Sequence, residues 1–238
     1  MVLRYKRNHL LSRLAAADAA RVAPYLETVD LPARFPLEAA HRPISHVYFP
    51  EEGLVSVVAL GSREQIDVGI IGRDGMSGHA VLLGTDRSPN VMYMQLGGHG
   101  TRITADHLRA ALRQSETLRA PLLAFLESFH VQTSHTALAN GRAKLETRLA
   151  RWLLMAHDRQ DSDRLSLTHE FLAIMLGVRR PGVTVAVRKL EAAGMLEAQR
   201  NAITIRNRKG LEMLADGVYG VPETEQLRLT GWKPPHHS

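Results

Sequence analysis

Thr168-His-Glu-Phe-Leu-Ala-Ile-Met-Leu-Gly177-Val-Arg-Arg-Pro-Gly-Val-Thr-Val-Ala-Val-Arg-Lys-Leu190 decides how the rest of the chain is read. The stretch predicts two short helices joined by a tight turn. Thr168 suits an N-cap, because its hydroxyl can accept a hydrogen bond from a free backbone N–H. Leu172 and Leu176 fall on one helical face, with Phe171 beside them. Gly177 follows the last apolar residue, where a helix end favours a left-handed conformation. Arg180-Pro181 opens a second helix, since proline is tolerated in the first turn. Val183, Ala186, Val187 and Leu190 give that helix a buried side. Ala173, small where the helices must approach, and Val183, able to plug the angle between them, complete a helix-turn-helix pattern. The solvent face of the second helix then carries Arg180, Thr184, Val185, Arg188 and Lys189. A plain helical hairpin with basic surface residues is the alternative.

The residues downstream favour the helix-turn-helix. Beyond Gly194, Ile203 and Ile205 alternate with polar neighbours, and Arg200-Asn201 supplies a turn, which predicts a β-hairpin wing. Asn207 can cap a last helix to about Ala215. From Val178 to Lys209 the chain holds eight Arg and Lys against Glu191 and Glu197, and that excess matches the net +6 of the whole chain. Basic charge gathered on one reading head suits a polyanion.

Composition sets the outer bounds. The chain has 238 residues, 45% of them hydrophobic, enough for a sizeable core and two domains. No run approaches the roughly 18–20 apolar residues that a membrane helix needs. The N-terminal Met-Val-Leu-Arg-Tyr-Lys-Arg has no apolar signal core behind it, so a cytoplasmic chain with no membrane partner is expected. There is no cysteine. Disulfides, thiol switches and cysteine-held iron–sulfur clusters are thereby excluded. The terminal Pro-Pro-His-His-Ser is too short to be read as a tag or a metal site.

Residues 8–27 read as helical, with Asp18 able to cap a second segment and Pro24 able to break it. Residues 29–103 alternate short apolar runs with turn residues: Val47–Phe49, Leu54–Leu60, Ile66–Ile71, Leu82-Leu83, Val91–Leu96 and Thr101–Ile103. Short strands with glycine punctuation predict an antiparallel sandwich or barrel. Such a barrel either holds a small ligand or serves only as a packing module. Thr104 caps a short helix to about Leu112. A longer helix comes next, on which Leu118, Leu122, Phe125, Phe129, Gln132, Thr136 and Ala139 step by alternating fours and threes. This heptad seam predicts a two-stranded dimer helix; the alternative is an amphipathic helix lying on its own barrel. Asn140-Gly141 predicts a break, because glycine costs about 1 kcal/mol in a helix interior.

Barrel, long helix, hinge and winged helix-turn-helix occur here in the order found in the Crp/Fnr family of bacterial transcription regulators, which residues 8–216 resemble. The most specific part is EFLAIMLGVRRPGVTVAVRKLEAAGML, Glu170 to Leu196. The resemblance implies an α+β fold: an antiparallel β-roll effector domain (residues 1–115), a dimerisation helix and hinge (116–141), a winged helix-turn-helix (142–217) and a tail (218–238). It implies a homodimer on an inverted-repeat operator, with Gln132 and Thr136 continuing the apolar dimer interface, and RNA polymerase as a further candidate partner. Arg180 matches the family's base-reading arginine, whose guanidinium can contact O6 and N7 of guanine. Arg179, Thr184, Val185, Arg188, Lys189 and Arg200 complete the expected DNA-binding set. Arg179 stands where the family has a capping Ser, Pro181-Gly182 replaces a polar pair, and Val185 stands where a second arginine is common, so a different operator is expected.

On the effector side, GRDGMSGHAVLLGTDRSPN (Gly72–Asn90) is similar to the family's cyclic-nucleotide loop. Arg87-Ser88 could stand for the phosphate pair, but Pro89 follows in place of a small residue, and Ser77 stands where the ribose-binding Glu would be. Cyclic AMP is therefore not expected as a tight effector, and no cofactor is expected. An enzyme finds no support: there is no His-x-His pair, P-loop, Gly-x-Gly-x-x-Gly or Gly-x-Ser-x-Gly elbow. A ligand-binding module that regulates a protein partner is the alternative function, and it leaves the basic winged helix unexplained.

Overall fold

The computed structural model describes residues 7–62 and 64–235. The expectations for the extreme N-terminus and for His236-His237-Ser238 fall wholly or partly outside these residues. Among the described residues no helix is long and apolar enough to cross a membrane.

The described residues open with α1 (His9–Ser12) and α2 (Ala16–Val22), then a 3-10 turn at Ala23–Tyr25, where Pro24 ends the regular helix. Asp18 does not cap its own helix. It lies inside α2, and its carboxylate accepts from Ser115 Oγ and Thr117 Oγ1, both at 2.6 Å. Strands β1 (Glu27–Leu31), β2 (Pro36–Glu38), β3 (His46–Pro50), β4 (Leu54–Leu60) and β5 (Gln65–Ile71) come next, then α3 (His79–Leu82), β6 (Val91–Leu96) and β7 (Gly98–Thr104). They form two antiparallel sheets, β1-β7-β3 and β2-β6-β4-β5. Leu82-Leu83, expected as a strand, ends α3 instead. β1 and β2 escape the sequence pattern because β1 is mostly exposed and β2 is three residues long.

Strand β4 shows why its sequence is almost continuously apolar. Val55 and Val57 face the interior of the β-roll, whereas Leu54 and Val58 join the core of the C-terminal domain. A strand covered on both faces loses the apolar–polar alternation. The sheet β2-β6-β4-β5 is thus the wall shared by both domains.

Helix α4 (Ala105–Gln114) leads to α5 (Glu116–Arg142). The seam on α5 is turned onto its own chain. Leu118, Leu122, Phe125 and Phe129 are buried in the β-roll core. Gln132 accepts from Ile70 N (2.7 Å) and donates to Ile70 O (3.2 Å), and Thr136 is buried beside it. Two glycines make the approach possible: a Cβ at Gly75 would lie 2.2 Å from the Phe125 ring, and one at Gly69 2.8 Å from that of Phe129. These six residues are therefore not surface available to a second copy. Heptad spacing shows that one helical face is covered, and here the cover is the adjoining sheet.

The helix does not break at Asn140-Gly141. Gly141 sits in open space, so its missing side chain leaves no packing defect, and the backbone turns extended only at Ala143. Helix α6 (Leu145–His157), β8 (Arg164–Leu165), α7 (His169–Leu176), α8 (Arg180–Ala192), β9 (Leu196–Gln199), β10 (Ala202–Ile205) and α9 (Arg208–Leu214) build the second domain, with a sheet ordered β8-β10-β9. The stretch expected as a tail instead forms α10 (Val221–Thr230), laid against α5.

Candidate nucleic-acid interface

The helix-turn-helix is built by the residues that announced it. Thr168 Oγ1 accepts from Phe171 N (3.1 Å) at the start of α7. Gly177 ends α7 in the left-handed region at φ 60°. Val183 is fully buried in the angle between the helices, with Ala173 close to it in the same core. Arg179 occupies the N-cap of α8 and makes no capping hydrogen bond, as a cation with no acceptor must.

The outer face of α8 carries Arg180, Val185, Arg188 and Lys189, all exposed, with Thr184 half-buried among them. Val185 is 52% exposed, unusual for an aliphatic side chain in a helix with a buried face of its own. Thr184 Oγ1 donates back to Arg180 O (3.2 Å) and lies 3.1 Å from His169 Nδ1. Sequence reasoning misses His169. Burial, then the neighbouring charges of Arg180 and Arg188, hold its imidazole below the ordinary histidine range. Its signal is faint, a polar residue one position after the cap of the first helix.

The wing forms as expected. β9 and β10 pair from Leu196↔Ile205 to Gln199↔Ala202, and Asn201 takes the left-handed conformation at the tip beside exposed Arg200. The eight basic residues of this region are not equivalent. Arg208 is half-buried and binds Asp158, Glu212 and Tyr219, so it belongs to the internal scaffold. Arg206 pairs with Glu197, and Lys189 with Glu146. Arg179, Arg180, Arg188, Arg200 and Lys209 make no ion pair among the described residues and are exposed.

The expected effector residues each take a different partner. Ser77 is fully buried in the β-roll, where its Oγ accepts from Tyr48 N at 3.0 Å. Arg87 is exposed and paired with Asp86 through two contacts of 2.9 Å. Ser88 Oγ accepts from Asn90 N within its own turn. Each of the three is thus engaged by a partner within the chain. Glu38, which sequence spacing does not flag, turns its buried carboxylate into this loop, where Oε1 accepts from Gly78 N at 2.6 Å. Burial pushes its carboxyl above the usual range.

Two open grooves run between the shared sheet and the helix-turn-helix. One, of about 780 Å³, lies between the β4–β5 hairpin and Arg179-Arg180. The other, of about 680 Å³, lies between β2, β6 and α7, with Arg34, Tyr93 and Gln95 on one wall and Phe171 and Ile174 on the other.

Comparison with known proteins agrees with this architecture. Residues 147–214 match the family described as Crp-like helix-turn-helix domain. No curated protein matches the sequence. Among solved structures, the chain is similar to a Crp/Fnr-family transcriptional regulator of Eubacterium rectale (17% identity, 87% of this chain and 97% of that one, TM-score 0.68). It is also similar to FixK2 of Bradyrhizobium japonicum (18%, 79% and 96%, TM-score 0.66). A third is the c-di-GMP-responsive global regulator CLP of Xanthomonas campestris (17%, 80% and 99%, TM-score 0.62). The chain thus has the fold of the Crp/Fnr transcription regulators and carries, at residues 147–214, a Crp-like helix-turn-helix domain.

Proposed function

We propose that this chain is a transcription regulator that binds double-stranded DNA as a homodimer. The observation that carries this reading is the outer face of α8, where Arg180 and Arg188, outside any ion pair among the described residues, flank exposed Val185 beside the similarly unpaired Arg200 of the wing. A buried-side helix that exposes cations and one aliphatic residue suits the major groove, where arginine reads guanine and an apolar group touches a thymine methyl. A symmetric dimer would place two such helices on half-sites about one helical turn apart.

Pairing has to use the side of α5 that its own chain leaves open. Ala120, Leu123, Glu127, His130, Ser134, Ala137 and Gly141 recur there at threes and fours, with exposed Leu138 alongside. That spacing supports a two-stranded contact on this face in place of the buried seam. Leu123→Glu with Leu138→Glu should leave the chain folded and monomeric by analytical ultracentrifugation.

The effector domain is proposed not to take cyclic AMP tightly. Ser77 is taken up by Tyr48 and Arg87 by Asp86, and Glu38 already satisfies the Gly78 N–H with a carboxylate of the chain's own. A titration with cyclic AMP should show no low-micromolar dissociation constant.

The decisive experiment is selection from a random duplex library and then fluorescence anisotropy. An inverted repeat should emerge, and Arg180→Ala should cost about 1–3 kcal/mol on it and relax one base position. Failure to bind any duplex, with retained binding to a protein partner, would favour the regulatory-module alternative.

A further inference from the structure

Helix α10 lies against α5 but buries few side chains of its own. Its buried residues are Pro222 and Gln226, while Val221 and Leu227 are exposed. Part of its anchorage is polar. Gln226 Nε2 donates to Asp74 Oδ2 at 2.6 Å. Asp74, 1% exposed, comes from the loop after β5 in the β-roll. It also accepts from the guanidinium of Arg159, 2% exposed, at 2.8 and 3.1 Å. Arg159 lies just after α6, the helix that roots the helix-turn-helix. Trp232, just past α10, lays its ring 5.5 Å from the Arg159 guanidinium carbon. One buried ion pair therefore joins the two domains, and the segment after Gly220 covers it.

What this junction holds in place bears on DNA access. With α6 fixed, α7 lies on the shared sheet, where Ser56 Oγ donates to Met175 Sδ at 3.3 Å. A Cβ at Gly177 would stand 3.1 Å from the Ile66 side chain. Arg179 and Arg180 look across a groove at the β4–β5 hairpin. In a helix-turn-helix on DNA the first helix crosses the phosphate backbone while the second enters a major groove about 12 Å wide. Here the first helix is packed against protein, and the reading end of the second faces a hairpin. A duplex reaching Arg179 and Arg180 would have to fit between them and that hairpin.

We propose that α10 with Trp232 is an autoinhibitory strap, holding the helix-turn-helix on the β-roll through the Asp74–Arg159 pair. The inference rests on the DNA-binding reading. A buried ion pair can fix an arrangement while adding little net stability, and a C-terminal helix whose own buried side chains are Pro222 and Gln226 can detach from α5 as a unit of low local stability. If only the released state binds, the apparent dissociation constant equals the intrinsic one divided by the released fraction.

The test uses the full chain, a version ending at Gly220, a Gln226→Ala/Trp232→Ala variant that keeps the backbone of α10, and Leu227→Ala as an exposed control on the same helix. Each is titrated against a mixed-sequence 30-base-pair duplex at low salt. Because the chain has no cysteine, Leu83→Cys and Met213→Cys, both at exposed positions, accept a dye pair that reports domain separation. The expected result is a roughly tenfold gain in affinity for both strap variants, a longer and broader inter-dye distance, and wild-type behaviour for Leu227→Ala. Unchanged or weaker binding by the strap variants, while wild type binds, overturns the strap and leaves the DNA reading intact. An unchanged inter-dye distance also overturns it. If no version binds DNA, the underlying reading has failed and the strap falls with it.

Discussion

Replacing Phe125 by alanine separates the two possible roles of the long helix. The ring is 1% exposed and rests on the bare backbone of Gly75, with His79 5.7 Å and Phe129 6.4 Å away between ring centroids. A glycine beneath the ring cannot reach into the space it would leave, and the strands around it are hydrogen-bonded into a sheet. Little collapse is possible, so the cost belongs in the upper half of the range for Phe→Ala substitutions, about 4–5 kcal/mol. With a urea m-value of about 3 kcal/mol/M, the unfolding midpoint should fall by roughly 1.5 M. The assay is urea unfolding monitored by circular dichroism, at two protein concentrations twentyfold apart, beside sedimentation of the folded protein. The midpoint of the variant should drop by this amount at both concentrations, with self-association of the folded fraction unchanged. A variant that dissociates into monomers as stable as wild type would refute the placement of Phe125 against its own β-roll.

Three further outcomes concern charged groups. Arg200 makes no ion pair among the described residues, whereas Lys189 is held by Glu146, so Arg200→Ala should lower the slope of log affinity against log salt by about one unit. Glu146→Gln, by freeing Lys189, should tighten binding to all duplexes alike in the same salt titration. Asp67 is fully buried at the wall between the domains, its Oδ2 has no hydrogen-bond partner among the described residues, and burial pushes its carboxyl up to about 8. An acid whose folded value lies above its unfolded value holds more protons when folded, so stability falls as pH rises between the unfolded value, about 4, and about 8, then levels off. Asp67→Asn should remove that slope, gaining on wild type by up to roughly 5 kcal/mol as pH approaches 8; parallel curves for both proteins from pH 5 to 9 would exclude this account.

Local sequence was enough wherever the physics is local. A capping threonine, a left-handed glycine, a proline in the first turn and a 3.6-residue apolar period act within a few residues, so the helix-turn-helix and its wing were legible from Thr168 to Ile205. So were β4 and β6, because a run of apolar residues between turns has few alternatives to a buried strand. Tertiary structure alone decided what each covered face meets. Phe125 and Phe129 have the same spacing whether they face a partner helix or a sheet, and only glycines 69 and 75, distant in sequence, open the sheet to them. Arg159 and Arg208 look like any other basic residue until Asp74 and Asp158 are brought beside them. Likewise Gln226 lies 152 residues from the carboxylate it binds, and no periodicity within α10 refers to that carboxylate. Spacing reports how much of a helix is covered; the identity of the cover is set by long-range packing, which brings together surfaces that the linear sequence keeps apart.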